Sequence, residues 1–296
     1  MKTIRTTKTN FLRTGYGEND IFEQKFVESE VLYSDDDKVL KERHFNTEGN
    51  IESVVENEYD SQGRVLSSSQ FDEGEELSQK NVFAYDEEGK LLKKGCFYGE
   101  GSPEYATQYV YEDGKLVRED SYNEDEFDYT EKSYEYDGNG RVKCQTDFDE
   151  DSKVMYRRTH DYDENGRLSK LLYEEVMAND SRTYLFTYDD NGRKIKDLTY
   201  NFNEKLIAKS YYVYDEEGRL IEQEDEDLDN YRKTVFTFEG SNCTKIEQFD
   251  KDGKLLNWTE YAFNEQGDAV CVKSFVPDEV RPDIFRISTI IEQEYE

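Results

Sequence analysis

Carboxylates are the side chains of this 296-residue chain best placed to do chemistry: Asp and Glu number 70 against 38 Lys and Arg, a formal net charge of −32. Two carboxylates at a set separation can run glycoside hydrolysis, but acidic pairs recur so often that none stands out as an acid and its base. Turns such as Asp163-Glu164-Asn165-Gly166 and Asp189-Asp190-Asn191-Gly192 gather oxygen ligands as calcium loops do. A calcium loop of the EF-hand kind also needs alternate ligands and a distal bidentate Glu, and no such set recurs. The histidines are His44 and His160, with no Ser-His-Asp or Cys-His order around them. Cys96, Cys144, Cys243 and Cys271 lack the short paired spacing of a zinc site or a disulfide framework. The residues therefore predict no enzyme, no catalytic residue, no metal and no cofactor.

Charge points to binding instead. A strongly acidic surface disfavours nucleic acid, whose phosphates need a cationic face, and suits a basic protein partner through complementary fields. Acidic turns also keep a long sheet soluble. Departures from an otherwise regular pattern mark the candidate binding edge, because regularity alone suffices for folding. Glu222, Glu224, Asp225, Glu226, Asp227 and Asp229 form one such departure, with Glu226 where an aromatic column would continue. Glu174 and Glu175, followed by Val176-Met177-Ala178-Asn179-Asp180, form another, where the mid-repeat turn signal breaks.

The elements that must carry these residues are set by a repeat. Tyr59-Asp60-Ser61-Gln62-Gly63-Arg64 is followed by like turns whose glycines step by 26, 25, 26, 26, 26 and 26 residues to Gly218. Asp opening a turn and Gly at a left-handed place are what a tight hairpin requires. A looser turn signal falls half a period away, as at Asn46-Thr47-Glu48-Gly49-Asn50 and Asp250-Lys251-Asp252-Gly253. Between turns the residues alternate at period 2, as in Tyr109-Val110-Tyr111 and Phe236-Thr237-Phe238. Each unit thus reads strand, turn, strand, turn. The fold expected is all-β: tandem antiparallel β-hairpin repeats forming a long curled sheet, superhelical ribbon or partial shell, because wide open sheets curl.

Two aromatic columns accompany the repeat. One runs Phe83, Tyr109, Tyr134, His160, Phe186, Tyr212, Phe236 and Tyr261, the other Phe45, Phe71, Phe97, Tyr122, Phe148, Tyr200, Phe249 and Phe275. They are expected to stack along the sheet, with His160 as a packed aromatic substitute. The organisation expected is an N-terminal cap or docking segment over 1–30, a repeat domain over 31–275 and a C-terminal cap over 276–296. No apolar leader and no run long enough to span a bilayer is present, so a cytoplasmic location without membrane contact is expected.

Tyr-Asp-x-x-Gly-Arg-Leu, clearest at Tyr162–Leu168 and Tyr214–Leu220, resembles the YD repeat of the Rhs family over roughly residues 33 to 265. In that family such repeats wind into a β-shell around a toxin, and many members serve interbacterial competition. This chain has no core-closing segment and no variable toxin domain after its repeats. The resemblance implies a free-standing, cargo-free repeat protein of the immunity or antitoxin kind, neutralising a basic toxin, naturally a nuclease by charge, through occlusion. The alternative is a structural scaffold or a glycan-binding surface repeat protein.

Overall fold

Local turn chemistry builds the fold before packing does. In the computed structural model, which describes residues 1–17, 20–74, 76–98, 103–123 and 129–295, the Asp163 N–H donates to the Arg167 carbonyl at 2.8 Å and the Gly166 N–H to the Asp163 carbonyl at 2.9 Å. That is a type I turn followed by a left-handed residue, the bulged hairpin connection. Gly166 holds the left-handed place at φ +80°. The same two bonds close the turns at Asp60, Asp86, Asp137, Asp189 and Asp215. The 25-residue step has its own cause: between paired Glu112 and Lys115 the turn shortens to Asp113 and Gly114, both at positive φ.

Some half-period turns, such as 149–153 and 201–205, use the same geometry with less obvious residues. Ser152, Asn179 and Glu204 take the left-handed place at φ 59°, 51° and 58°. The expected break after Glu175 is therefore no break: the Asn179 N–H donates to the Val176 carbonyl at 3.3 Å. Of the expected turns, Gly99-Glu100-Gly101 and the Glu124-Asp125 part of the next lie outside the described residues.

The described residues form 22 strands. The first half comprises β1 (Lys2–Arg13), β2 (Ile21–Tyr33), β3 (Val39–Phe45), β4 (Ile51–Tyr59), β5 (Val65–Asp72), β6 (Leu77–Tyr85), β7 (Leu91–Phe97), β8 (Tyr105–Glu112), β9 (Lys115–Asn123), β10 (Thr130–Tyr136) and β11 (Val142–Phe148). The second half comprises β12 (Val154–Tyr162), β13 (Leu168–Glu175), β14 (Asp180–Tyr188), β15 (Lys194–Asn201), β16 (Leu206–Tyr214), β17 (Leu220–Asp227), β18 (Tyr231–Glu239), β19 (Asn242–Phe249), β20 (Leu255–Phe263), β21 (Ala269–Pro277) and β22 (Phe285–Tyr295). Each pairs antiparallel with its chain neighbours.

β1 also pairs with β22, Ile4 opposite Tyr295 and Thr9 opposite Ile290. The sheet is thus a closed barrel, which corrects the expected open ribbon or partial shell. Closure satisfies the row of N–H and C=O groups that each free edge would leave unpaired. The two terminal segments are themselves strands of the ring and lie side by side.

A ring of 22 strands at the usual spacing and tilt is about 35–45 Å across between backbones, too wide for side chains to fill. The surface agrees: 18492 Å² is accessible, against roughly 13,000 Å² for a compact chain of this length. Among the described residues only Val54 and Ala106 are buried apolar side chains. The sheet is one layer thick, and its residues are covered mainly by neighbours within the sheet.

That geometry also alters the aromatic columns. Members of one column sit two strands apart, about 10 Å, so rings do not touch along the column. Phe83 faces Lys94, Tyr109 faces Glu119 and Phe186 faces Asp197 on the intervening strands. Among the described residues no ring pair joins two members of either column; Trp258 stacks on Phe275 at 4.5 Å and Tyr156 on Tyr173 at 5.9 Å. The column is held by polar bridges: Tyr212 donates to the Asp197 carboxylate at 2.8 Å, Lys194 to the same group at 2.7 Å, and Lys194 Nζ lies 4.6 Å from the Tyr212 ring centre. His160 fills its column slot opposite Leu171, and burial lowers its pKa, against a backbone hydrogen bond with Lys143 that raises it.

Candidate functional site

The meander gives the barrel two rims, one carrying all the Tyr-Asp turns and the other all the half-period turns. At the first rim the motif residues spend their chemistry on each other. Asp163 Oδ1 accepts the N–H groups of Asn165 and Arg167 at 2.9 and 2.8 Å, and its Oδ2 accepts Arg167 Nε at 2.7 Å. Burial raises the Asp163 pKa, but these hydrogen bonds from Arg167 outweigh it and hold the carboxyl below its ordinary value. Arg167 then reaches the next repeat: its guanidinium stacks 4.8 Å from the Tyr188 ring centre and donates to the Asp189 carbonyl at 3.2 Å. Tyr188 in turn donates to the Leu168 carbonyl at 2.8 Å.

The clasp recurs around the rim, with Arg64 on Tyr85, Arg141 on Tyr162 and Arg193 on Tyr214. Lysine serves in the same slot at Lys38, Lys90 and Lys115. Tyr, Asp, Gly and Arg are therefore a structural unit joining neighbouring repeats. Arg167→Ala is expected to cost about 1–2 kcal/mol by losing the stacked guanidinium and its charge-assisted bonds. Arg167→Lys should recover much of that in denaturant melts, and an Ala variant within a few tenths of wild type would show the clasp to be idle.

The predicted binding residues run from the first-rim end of β17 to the second rim. They do not form one surface. Alternation along β17 puts Glu222, Glu224 and Glu226 on one face and Asp225 and Asp227 on the other. Lys233 pairs with Glu222 at 2.8 Å and lies 3.7 Å from Glu224, while Lys209 pairs with Glu226 at 2.8 Å. Ser210 donates to Asp225 at 2.6 Å. Asp227 accepts the N–H groups of Asp229 and Asn230 at 2.9 and 2.8 Å, which hold its pKa below the ordinary value.

Glu174 and Glu175 end β13 at the same rim, four strands and about 19 Å round the ring from β17. Glu174 lies 3.9 Å from Arg157. Among the described residues the carboxylates of Glu175 and Asp229 have no ion-pair partner. A groove of about 580 Å³ opens between β16 and β18, lined by Lys209, Asp225, Asp227, Tyr231 and Arg232 among others.

The acid-centred sequence pattern passed over the apolar residues at the tips of three successive hairpins here: Met177, Phe202 and Leu228 are all exposed. Aligning the half-period turns on the residue that opens each turn would have found them. Among the described residues no three His, Cys, Asp or Glu side chains converge as a metal site.

A family model described as an uncharacterised protein matches residues 129–279. No curated protein matches this chain in sequence. Distant structural similarity extends to the Photorhabdus luminescens Tc holotoxin pore, 13% identical with a TM-score of 0.38 over 93% of this chain and 18% of that chain. The TcdB2-TccC3 structure without its hypervariable C-terminal region is 13% identical, with a TM-score of 0.38 over 92% of this chain and 19% of that one. A porin-like protein from Bacteroides uniformis is 11% identical, with a TM-score of 0.37 over 99% of this chain and 96% of that one. The chain thus spans under a fifth of the length of these Tc chains.

Proposed function

We propose that this chain, which belongs to the family of uncharacterised proteins matched over residues 129–279, is a free-standing YD-repeat barrel that binds a basic protein without catalysis. In this reading it is an immunity-type protein of the cytoplasm that neutralises a cationic toxin domain by covering it. The supporting observation is the placement of its surplus acid. Exposed turn carboxylates crowd both rims, with Glu87, Glu164, Asp190 and Glu216 at one and Glu48, Glu73 and Glu150 at the other. A ring of like charge focuses its field at the openings and accelerates capture of a cationic partner.

Water on both sides of the wall fits this reading. The face bearing the Tyr-Asp tyrosines carries Lys94, Glu119 and Lys132 within its strands, and the opposite face carries Glu56, Lys80 and Arg157. A Lys or Arg on a lipid-facing wall costs about 2–4 kcal/mol at the bilayer midplane, so neither face suits a membrane.

The test uses purified barrel and basic toxin domains encoded beside its gene. Association should slow steeply as salt rises while dissociation changes less, and inhibition should saturate near equimolar ratio. Protection at substoichiometric amounts would reveal an enzyme. Salt-independent binding, or binding to glycans with no toxin bound, would move the function to a scaffold or glycan-binding role.

A further inference from the structure

We infer that the arc of the second rim from β13 to β18 is the docking surface, and that it takes a segment of protein carrying both Lys or Arg and apolar side chains. This rests on the reading that the partner is a basic protein, and adds where it docks and what else it must present. The turn at 201–205 closes as the turn at 149–153 does: Asn201 N–H to Lys205 carbonyl and Glu204 N–H to Asn201 carbonyl, against Asp149 N–H to Lys153 carbonyl and Ser152 N–H to Asp149 carbonyl. In this frame the residue after the turn's first position points to solvent and has no role in closure. It is Thr47, Glu73, Glu150 and Lys251 elsewhere on this rim.

At three consecutive hairpin tips the residue after the turn's first position is apolar instead, although only 201–205 keeps both bonds: 176–179 keeps the Asn179 N–H to Val176 carbonyl bond, and 227–230 closes by Asp227 N–H to the Asn230 carbonyl. Met177 is 69%, Phe202 59% and Leu228 66% exposed. Val176 and Leu206 beside them are exposed as well. Hairpins are two strands apart, so the three tips span about 20 Å of rim. Turn closure does not require these residues, and clustered exposed apolar side chains mark contact surfaces.

Charge chooses the occupant. Glu174, Glu175, Glu204, Asp227 and Asp229 flank the tips, and the groove behind the third tip adds Asp225, opposite Arg232 on β18. A second copy of this chain would bring like charge against like, as would an anionic membrane surface. A cationic segment with apolar residues at intervals satisfies both features: its apolar groups cover the tips and its cations meet the acids between them.

The experiment uses the full chain and three probes: a synthetic peptide alternating lysine and leucine, polylysine, and vesicles of phosphatidylserine and phosphatidylcholine. Met177→Ser, Phe202→Ser and Leu228→Ser are combined in one variant, with Glu150→Ser plus Lys251→Ser as the same-slot control. The triple variant should bind the lysine-leucine peptide about tenfold more weakly while polylysine binding and the melting temperature hold, and the control should match wild type. Unchanged peptide binding in the triple variant, with salt-dependent polylysine binding intact, would overturn this site and leave the basic-partner reading standing. Wild type binding neither cationic probe would overturn that reading and the site together. Vesicle binding, or a dimer dissolved by the triple variant, would replace the proposed occupant.

Discussion

Ile290→Pro is expected to destabilise the barrel by about 3 kcal/mol or more and to promote aggregation. Ile290 lies mid-way along β22, opposite Thr9 of β1 on one side and Lys273 of β21 on the other. Proline is tolerated in sheets where its missing N–H would face solvent, which means an edge strand. A closed ring has no such strand. Loss of the ladder bond and the clash of the proline ring fall on the seam that joins the chain's two ends. Once that seam parts, β1 and β21 or β22 present unpaired edges for other molecules to extend.

Glu265→Pro is the matched contrast. Glu265 is an exposed residue of the turn in which the Gly267 N–H donates to the Asn264 carbonyl. It holds the first central place of that turn, which favours proline, so little change in stability is expected. Thermal melting and light scattering decide between the outcomes. Ile290→Pro melting within a degree or two of wild type as a monomer would mean that the β1–β22 seam contributes little and the ring is stable open.

Gly166→Val and Gly192→Val are each expected to cost roughly 1–3 kcal/mol. Their φ values are +80° and +82°, a region in which a β-branched residue is strained whatever room surrounds it. Space is short as well at Gly166, where an added Cβ would come 3.1 Å from Arg141 Nη1. The guanidinium it would push is the one stacked 4.3 Å from the Tyr162 ring centre, so the damage reaches the contact between repeats. Because Arg167 links these two turns, the double variant should depart from simple additivity. Gly166→Asn should cost less than Gly166→Val, since Asn visits the left-handed region more readily. Denaturant melts of both valine variants that overlay wild type would remove the left-handed turn from the account of stability.

What the sequence determined was whatever a few consecutive residues decide. Asp opening a turn, Gly three places later in most units and alternation between turns are local physical requirements, so hairpins, antiparallel order and an all-β fold were legible from Tyr59-Asp60-Ser61-Gln62-Gly63-Arg64 and its copies. Even the shortened unit at Asp113-Gly114 announced a change of turn through its missing residue. Tertiary structure decided what depends on residues far apart. No local pattern marks Ile4 as the partner of Tyr295; that pairing follows from the summed twist and curvature of all the strands between them, and from the cost of leaving two edges bare. The acidic run from Glu222 to Asp229 reads as one patch along the chain, yet strand alternation divides β17 between two faces and lysines of neighbouring strands partner three of its glutamates. Arg167 looks like a turn residue in sequence and becomes a clasp only when pairing of neighbouring hairpins brings Tyr188 of the next repeat under its guanidinium. Met177, Phe202 and Leu228 are ordinary apolar residues in a sequence that needs some, and only their common place at neighbouring tips, facing solvent, sets them apart.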